Sequence, residues 1–449
     1  VIALPKSALG HGAPGFGEEA FDFLYPLAIM NATMDSLFHT EPGFTTYNLL
    51  HHNRFLVNAS DRRVVKPNID DLYSASYLDL PSDTVVAFHV PDTDGRYYVA
   101  QFMDFWTNVF VSIGSRATGT RAGEFHIVGP DYSGEMNASM TRSPTRNVWL
   151  IMRIVCNGVA DYTNVWRVQD GFRLHASTTP SISAPAVASA GAAAGPGPGA
   201  NVTPPAFVDS LEAPAFFNYT AEVMNAGNFP AAADTPMVAR LATIGFVPGQ
   251  PFHWEALPAG KQAELMRAVS SERSCLAASC RGVPGKQVNG WHYPPADHGN
   301  YSTDYGYRAE MARHGLGTNL LADALYLSSN GTIEGSKPCT LRFEAGQLPP
   351  VHGFWSVTVY DSKGYLVQNT ENRYALGDRS GLQPAEDGST TIYLSPTSPE
   401  LPAPHANWLP TPAVGRYSLT MRLYWPGEAA LSGAWLPPRV EESHPPLLV

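Results

Sequence analysis

Charge is scarce in this chain. Only 15% of its 449 residues are Asp, Glu, Lys or Arg, against ~25% in an ordinary soluble domain. There are six lysines, no basic cluster and a formal net charge of −11, which excludes nucleic acid as a partner. No stretch reaches the ~20 apolar residues that a membrane-spanning helix requires. The longest near-apolar run, "FDFLYPLAIM", stops well short. G-x-S-x-G, P-loop and G-x-G-x-x-G patterns are all missing, so the common hydrolase and nucleotide-binding signals are absent. The histidine-bearing stretches offer His51, His52, His292, Asp297 and His298 without H-x₃-H spacing. Neither a metal nor a cofactor is expected.

Cysteine is also sparse, with four residues. Cys275 and Cys280, in "SCLAASC", are close enough to close a small loop. Cys156 and Cys339 both lie in strand-like text, and a bond between them would tie two regions together. The competing expectation is four buried thiols.

What is present is a set of acceptor sites for N-linked glycans. Asn31, Asn58, Asn137, Asn201, Asn218, Asn300 and Asn330 each open an N-x-[ST] triplet. Glycans would solubilise a surface so poor in charge. The even cysteine count agrees with an oxidising, extracellular setting, secreted or at the cell surface. The chain opens on Val1, which is read as the trace of a removed leader.

Length and pattern predict an α+β protein of two β-rich domains, antiparallel sandwich or jelly-roll-like, with a helical segment between them. Residues 1–15 read as a flexible N-terminal segment and 16–177 as a β-rich domain with a leading helix at 16–38. Residues 178–206 are an Ala/Gly/Pro linker or loop. A helical connecting region spans 207–300, and a C-terminal β-sandwich spans 301–449. "RYYVAQFMDF" is apolar on both faces, which predicts a strand buried on both sides. In "RYSLTMRLYW", Tyr417, Leu419, Met421, Leu423 and Trp425 share one face, and Arg416, Ser418, Thr420 and Arg422 share the other. That alternation predicts a half-buried strand.

One stretch decides between enzyme and scaffold. "KPNIDDLYSAS" (66–76) carries two adjacent carboxylates, an amide and a tyrosine, with Pro67 favouring an extended backbone at Lys66. Set beside "QFMDFW" and Arg116, it suggests a pocket of Asn68, Asp70, Tyr73, Gln101, Asp104, Trp106 and Arg116. Aromatic rings with a few polar groups suit a sugar or small polar ligand, and Asp70 with Asp104 are the candidate acid and base for glycoside cleavage. The alternative is a polar knot that pins loops to a strand, since buried carboxylates must be paired. Near the C-terminus, Arg373 and Asp378 are a candidate ion pair.

Many segments in order resemble a known family. They include "VVKPNIDDLYSASYLDL", "GRYYVAQFMDFWTNVF" and "RSPTRNVWLIMR" in the first half. In the second half they include "TDYGYRAEMARHGLGTN", "LRFEAGQLPPVHGFWSVTVYD", "NRYALGDRSGL" and "YSLTMRLYWP". The chain resembles the two-domain proteins of domains of unknown function twelve fifty-four (N-terminal) and twelve fourteen (C-terminal), over roughly residues 20–435. The resemblance implies two β-rich domains and supplies no reaction. The family pattern Arg-Pro-Asn-x-Asp-Thr is matched at Pro67, Asn68 and Asp70, while Lys66 and Asp71 depart from it.

The expectation is a secreted, N-glycosylated structural or interaction protein, not an enzyme. It would associate with itself as a homo-oligomer or filament, the apolar N-terminal strand adding to a neighbour, or bind glycans. The alternative is an enzyme acting on carbohydrate or another small polar ligand through the carboxylate-lined pocket.

Overall fold

The computed structural model describes residues 14–41, 44, 46–62, 64–178, 202–329, 331–399 and 403–443. The N-terminal strand, most of the Ala/Gly/Pro stretch, Asn201 and Asn330 lie outside these residues.

The N-terminal strands are β1 (His51–His52), β2 (Asp71–Asp79), β3 (Val85–Val90), β4 (Tyr98–Asp104), β5 (Val109–Gly114), β6 (Gly123–Val128), β7 (Met140–Arg142), β8 (Asn147–Val155) and β9 (Arg173–Ala176). They form two sheets, ordered β1-β2-β8-β4-β5 and β7-β6-β3-β9. Leu72, Phe102, Leu150 and Ile154 of the first sheet pack on Val86, Phe88 and Ile127 of the second. Every residue of β4 and β8 is buried, as the two-sided apolar text requires. The other face of the first sheet meets helices.

Those helices do not form a separate connecting unit. α1 (Phe16–Thr40) starts with Glu18 and Glu19 in its first turn, where the helix dipole favours acids. It is buried almost all round, because it runs between the sheet and four later helices. These are α3 (Pro204–Ser210), α4 (Ala213–Asn225), α6 (Ala259–Ala277) and α7 (Tyr305–His314). α2 (Tyr162–Gly171) covers the sandwich instead, and α5 (Thr235–Ala242) lies on the helical layer. α7 is capped by the Asp304 carboxylate, which accepts from Tyr307 N at 3.1 Å.

The C-terminal strands are β10 (Lys286–Val288), β11 (Trp291–Tyr293), β12 (Ala324–Ser329), β13 (Ile333–Glu334), β14 (Cys339–Phe343), β15 (Val351–Asp361), β16 (Ala375–Gly377), β17 (Thr390–Ser395), β18 (Trp408–Pro410), β19 (Arg416–Pro426) and β20 (Val440–Glu442). A large sheet, β10-β11-β12-β19-β15-β16 with β13 on β19, faces a smaller one, β18-β17-β14-β20. Trp355, Val357, Leu419, Met421 and Leu423 fill the core between them.

The polar face of β19 departs from expectation. Thr420 and Arg422 are buried, not solvated, because that face of the large sheet packs against the N-terminal domain. Trp425 also leaves its row. A β-bulge places His352 and Gly353 opposite this one residue, and Trp425 takes φ 49°.

Cys275 and Cys280 form a disulfide at the end of α6. Cys156 and Cys339 do not pair: both are buried free thiols. Cys156 directly follows β8, and Cys339 starts β14 in the smaller C-terminal sheet. Among the described residues no helix is long and apolar enough to cross a membrane.

Candidate functional site

The segment 66–71 lies at the boundary between the two domains, and its polar groups reach across it. Asp70 is 4% exposed. Its Oδ1 accepts from Arg379 Nη2 at 2.8 Å. Its Oδ2 accepts from Ser356 Oγ at 2.6 Å and from Tyr424 OH at 3.2 Å. Asn68 Oδ1 accepts from Asp70 N at 2.7 Å, while Asn68 Nδ2 donates to Tyr424 OH and to Asp71 Oδ2, each at 2.9 Å. Pro67 O accepts from Tyr360 OH at 2.7 Å. Lys66 is not extended as its place before a proline suggested. It has φ 50°, held by its N–H to Gly364 O at 2.7 Å and its carbonyl to Arg422 Nη2 at 3.3 Å.

A reciprocal pair lies further along the same boundary. Arg116 Nε donates to Asp323 Oδ1 at 2.6 Å, and Ser112 Oγ to Asp323 Oδ2 at 2.6 Å. Each domain thus gives the other one carboxylate and one guanidinium. Between the two pairs, Tyr97, Val99 and Val155 pack on Ala324, Phe354 and Tyr424. The Phe354 and Tyr424 rings stack with centroids 4.0 Å apart, and the Arg379 guanidinium covers the Phe354 ring at 4.0 Å.

Arg379 reaches this place because the chain turns sharply after β16. A Cβ on Gly377 would stand 2.0 Å from Trp355 O, so only glycine lets β16 lie this close to β15 before the turn Asp378–Ser380. Arg373 and Asp378 do not pair. Arg373 Nη1 donates to the carbonyls of His405 and Trp408, and Asp378 Oδ1 accepts from Trp355 N.

Tyr73 and Gln101 converge on Arg153, a residue that sequence reasoning missed. All three project from the helix-facing side of the first sheet, as the strand period requires. Arg153 is 4% exposed. Its Nη1 donates to Gln101 Oε1 at 2.8 Å and Asn319 Oδ1 at 3.0 Å, its Nη2 to Gly317 O at 2.6 Å, and its Nε to Tyr73 OH at 3.2 Å. Gly317 has φ 85° and lies against Trp149 and Ile151, so its carbonyl can come this close.

Trp106 and Asp104 belong to another region. Trp106 is buried in the helical core, its indole N–H donating to the carbonyls of Asn228 and Phe229. Asp104 Oδ1 accepts from Trp106 N and Asn108 N, each at 2.9 Å. Asp104 faces Val148 and Asp71 faces Val155 on the same strand, β8. Seven residues at ~3.3 Å each put them about 23 Å apart. Carboxyl pairs that cleave glycosidic bonds stand about 5–10 Å apart. Asp70 and Asp104 therefore do not form one acid/base site. The histidines are also dispersed: His52 meets Ser74 Oγ, His292 the carbonyls of Val283 and Pro284, and His298 the Tyr307 hydroxyl.

Asp71 is the strained member of the boundary. Its Oδ1 is buried without a hydrogen-bond partner among the described residues. Burial pushes its carboxyl up to about 6; the Asp70 charge adds to this, and Arg379, Arg153 and Asn68 oppose it. A carboxyl raised in the folded state stabilises while protonated. That stability is complete below the unfolded value of ~3.9 and is lost as pH rises through the folded value. Asp71→Asn should therefore stabilise the protein above pH about 6, by roughly 1–3 kcal/mol, with the gain vanishing below about pH 4. Urea unfolding of both proteins across this range checks it, and a gain constant with pH contradicts it. Comparing the two proteins at each pH cancels His52 and His298, both pushed down to about 4 by burial.

Residues 47–176 match the family Protein of unknown function (DUF1254), and residues 322–428 match Protein of unknown function (DUF1214). Together these cover more than half of the chain. The chain belongs to this two-domain family. The first match spans both N-terminal sheets, and the second spans the face carrying Ser356, Arg379, Arg422 and Tyr424, so the polar boundary lies between the two family domains. The VPA0106 protein from Vibrio parahaemolyticus, a solved structure, is 22% identical with a TM-score of 0.69, over 96% of this chain and 99% of that one. That likeness is one of fold. A putative uncharacterized protein from Burkholderia cenocepacia is 14% identical with a TM-score of 0.43, over 95% of this chain and 92% of that one. No curated protein matches the chain.

Proposed function

We propose that this two-domain protein is an extracellular, N-glycosylated structural or interaction protein, and that its 66–71 segment is a clamp rather than a reaction centre. The observation that carries the reading is the full commitment of Asp70. Both its oxygens accept from groups of the other domain, three hydrogen bonds in all, which ties the carboxylate to the clamp. Three sequons, Asn58, Asn137 and Asn300, are exposed, and the Cys275–Cys280 disulfide suits an oxidising compartment.

Asn31 leaves the set of acceptors. It is 2% exposed inside α1, and its Nδ2 donates to Tyr219 OH at 2.8 Å and Asp35 Oδ2 at 3.1 Å, leaving no room for a sugar. Asn218 is half-buried on α4. The expected result is glycan on Asn58, Asn137 and Asn300 and none on Asn31. Glycopeptide mass spectrometry of the protein from its native source reads this directly, and unmodified asparagine at all three exposed sites sinks the reading. Light scattering on the same sample tests self-association: a particle mass of many chains is expected, and a strict monomer removes the homo-oligomer and filament.

A further inference from the structure

Beside the clamp, an open cleft of about 1100 Å³ runs between the domains. One wall is the 91–96 loop with Asn157, Asn164 and Arg167; the other carries His352, Phe354 and Trp425. None of the residues singled out from the sequence as ligand-binding lines it.

Trp425 lines this cleft out of step with the rest of its strand. Strand alternation would send it into the C-terminal core with Leu419, Met421 and Leu423. The bulge instead brings it to the cleft, where it is half-buried with its ring 5.1 Å from that of the exposed His352. Bulges re-aim side chains in this way beside functional sites. A Cβ on Gly353 would lie 2.7 Å from Tyr424 O, so glycine is needed for the bulge to close. A bulky residue at positive φ is an outlier that glycine would relieve. Keeping tryptophan there retains a large, half-buried ring at the cleft at the expense of backbone comfort.

The polar lining is short and mixed. Asn157 Oδ1 accepts from Arg379 Nη1 at 2.9 Å, and its Nδ2 meets no acceptor among the described residues. Asn164 is exposed, and Ser115 and Thr120 add hydroxyls. Two of the three arginines are already committed: Arg96 grips Asp161 with both terminal nitrogens, at 2.6 and 2.8 Å, and Arg379 holds Asp70. Asp92, Asp94 and Asp378 also line the cleft, so it offers no surplus positive charge to a phosphate or sulfate. Aromatic faces beside neutral donors and acceptors match the alternating C–H face and hydroxyl rim of a sugar ring.

We propose that this cleft binds a neutral oligosaccharide, which stacks on Trp425 and His352 while Asn157 and Asn164 read its hydroxyls. The inference deepens the reading of the protein as an extracellular interaction protein and rests on it. The test titrates the full chain, with its own N-glycans trimmed enzymatically, with cello-, malto- and manno-oligosaccharides and with heparin fragments. Tryptophan fluorescence and saturation-transfer NMR are the readouts. At least one neutral series should bind. Trp425→Gly, which suits the left-handed backbone, should weaken it tenfold or more, and His352→Ala, at an exposed position, about threefold or more. Should Trp425→Gly fail to fold, His352→Ala decides alone. Binding by heparin fragments only, no neutral binding, or unchanged affinity in the folded variants each overturns the proposal. A glycosylated protein that binds no sugar overturns this inference alone, whereas an unglycosylated protein that binds through Trp425 overturns the functional reading alone.

Discussion

Asp70→Ala is expected to destabilise the protein by about 3–5 kcal/mol, the range for removing one partner of a buried ion pair. The loss exceeds one hydrogen bond because three donors lose their acceptor together. Ser356 Oγ and Tyr424 OH are left without an acceptor in a buried layer, and Arg379 keeps its charge without its carboxylate. Arg379 is a quarter exposed, at 24% of its side chain, so water recovers part of the cost and the lower half of the range is the better expectation. These donors come from the C-terminal domain, whereas Asp70 comes from the N-terminal one. Urea unfolding should show a lower midpoint and also a broadened or split transition, as the domains begin to unfold separately. A change below about 1 kcal/mol would place Asp70 among ordinary surface carboxylates.

Arg153→Met is expected to cost about 3–5 kcal/mol as well, by a different route. Methionine approximates the volume but has no donors. Gln101 Oε1, Asn319 Oδ1 and the Gly317 carbonyl would then be buried acceptors with one partner fewer, each penalised by roughly 1–3 kcal/mol. Among the described residues the guanidinium has no carboxylate in hydrogen-bond contact; carbonyls, amides and a phenol solvate it. Gly317 and Asn319 follow α7, so the variant should loosen the packing of the helical layer on the first sheet. Hydrogen exchange should quicken in residues 315–323 and leave the small C-terminal sheet unchanged. Wild-type stability with unchanged exchange would show that the network is incidental.

Both residues bear on what the sequence alone could tell. β3, β4, β5, β6 and β8 were legible because their apolar runs are bounded by Gly, Asp and Pro. β2 was not. Its text "DLYSASYLD" alternates apolar residues with Ser74 and Ser76, which suggests a half-exposed loop or edge. The two serines are instead buried, at 1% and 0%, and Ser74 Oγ meets His52 Nδ1 and Gln169 Nε2. Small hydroxyl residues in a strand buried on both faces are ambiguous until their partners, distant in sequence, are known.

The candidate residues divide for the same reason. Asn68, Asp70 and Arg116 do share a boundary, and Tyr73 and Gln101 do share a partner. Asp104 and Trp106 are adjacent to Gln101 in sequence but separate from it, because the chain leaves the boundary along β4 and enters the helical core. Arg153 and Arg422 carried a signal that passed unused. An arginine inside an apolar strand such as "VWLIMRIV" or "LTMRLYW" must find buried acceptors, and for Arg153 two of them are the Gln101 amide and the Tyr73 phenol, both candidates for the pocket. The domain boundary itself could not be read from pattern, since the polar face of β19 looks the same whether water or another domain covers it.

The most direct test of the clamp is a double-mutant cycle on Asp70 and Arg379, read by urea unfolding of Asp70→Asn, Arg379→Gln and the double variant. If the segment 66–71 holds the domains together, the two residues should couple by about 1.5–3 kcal/mol, and the double variant should be scarcely less stable than the worse single one. Additive losses, with coupling below about 0.5 kcal/mol, would contradict the account and return Asp70 to the search for a reaction.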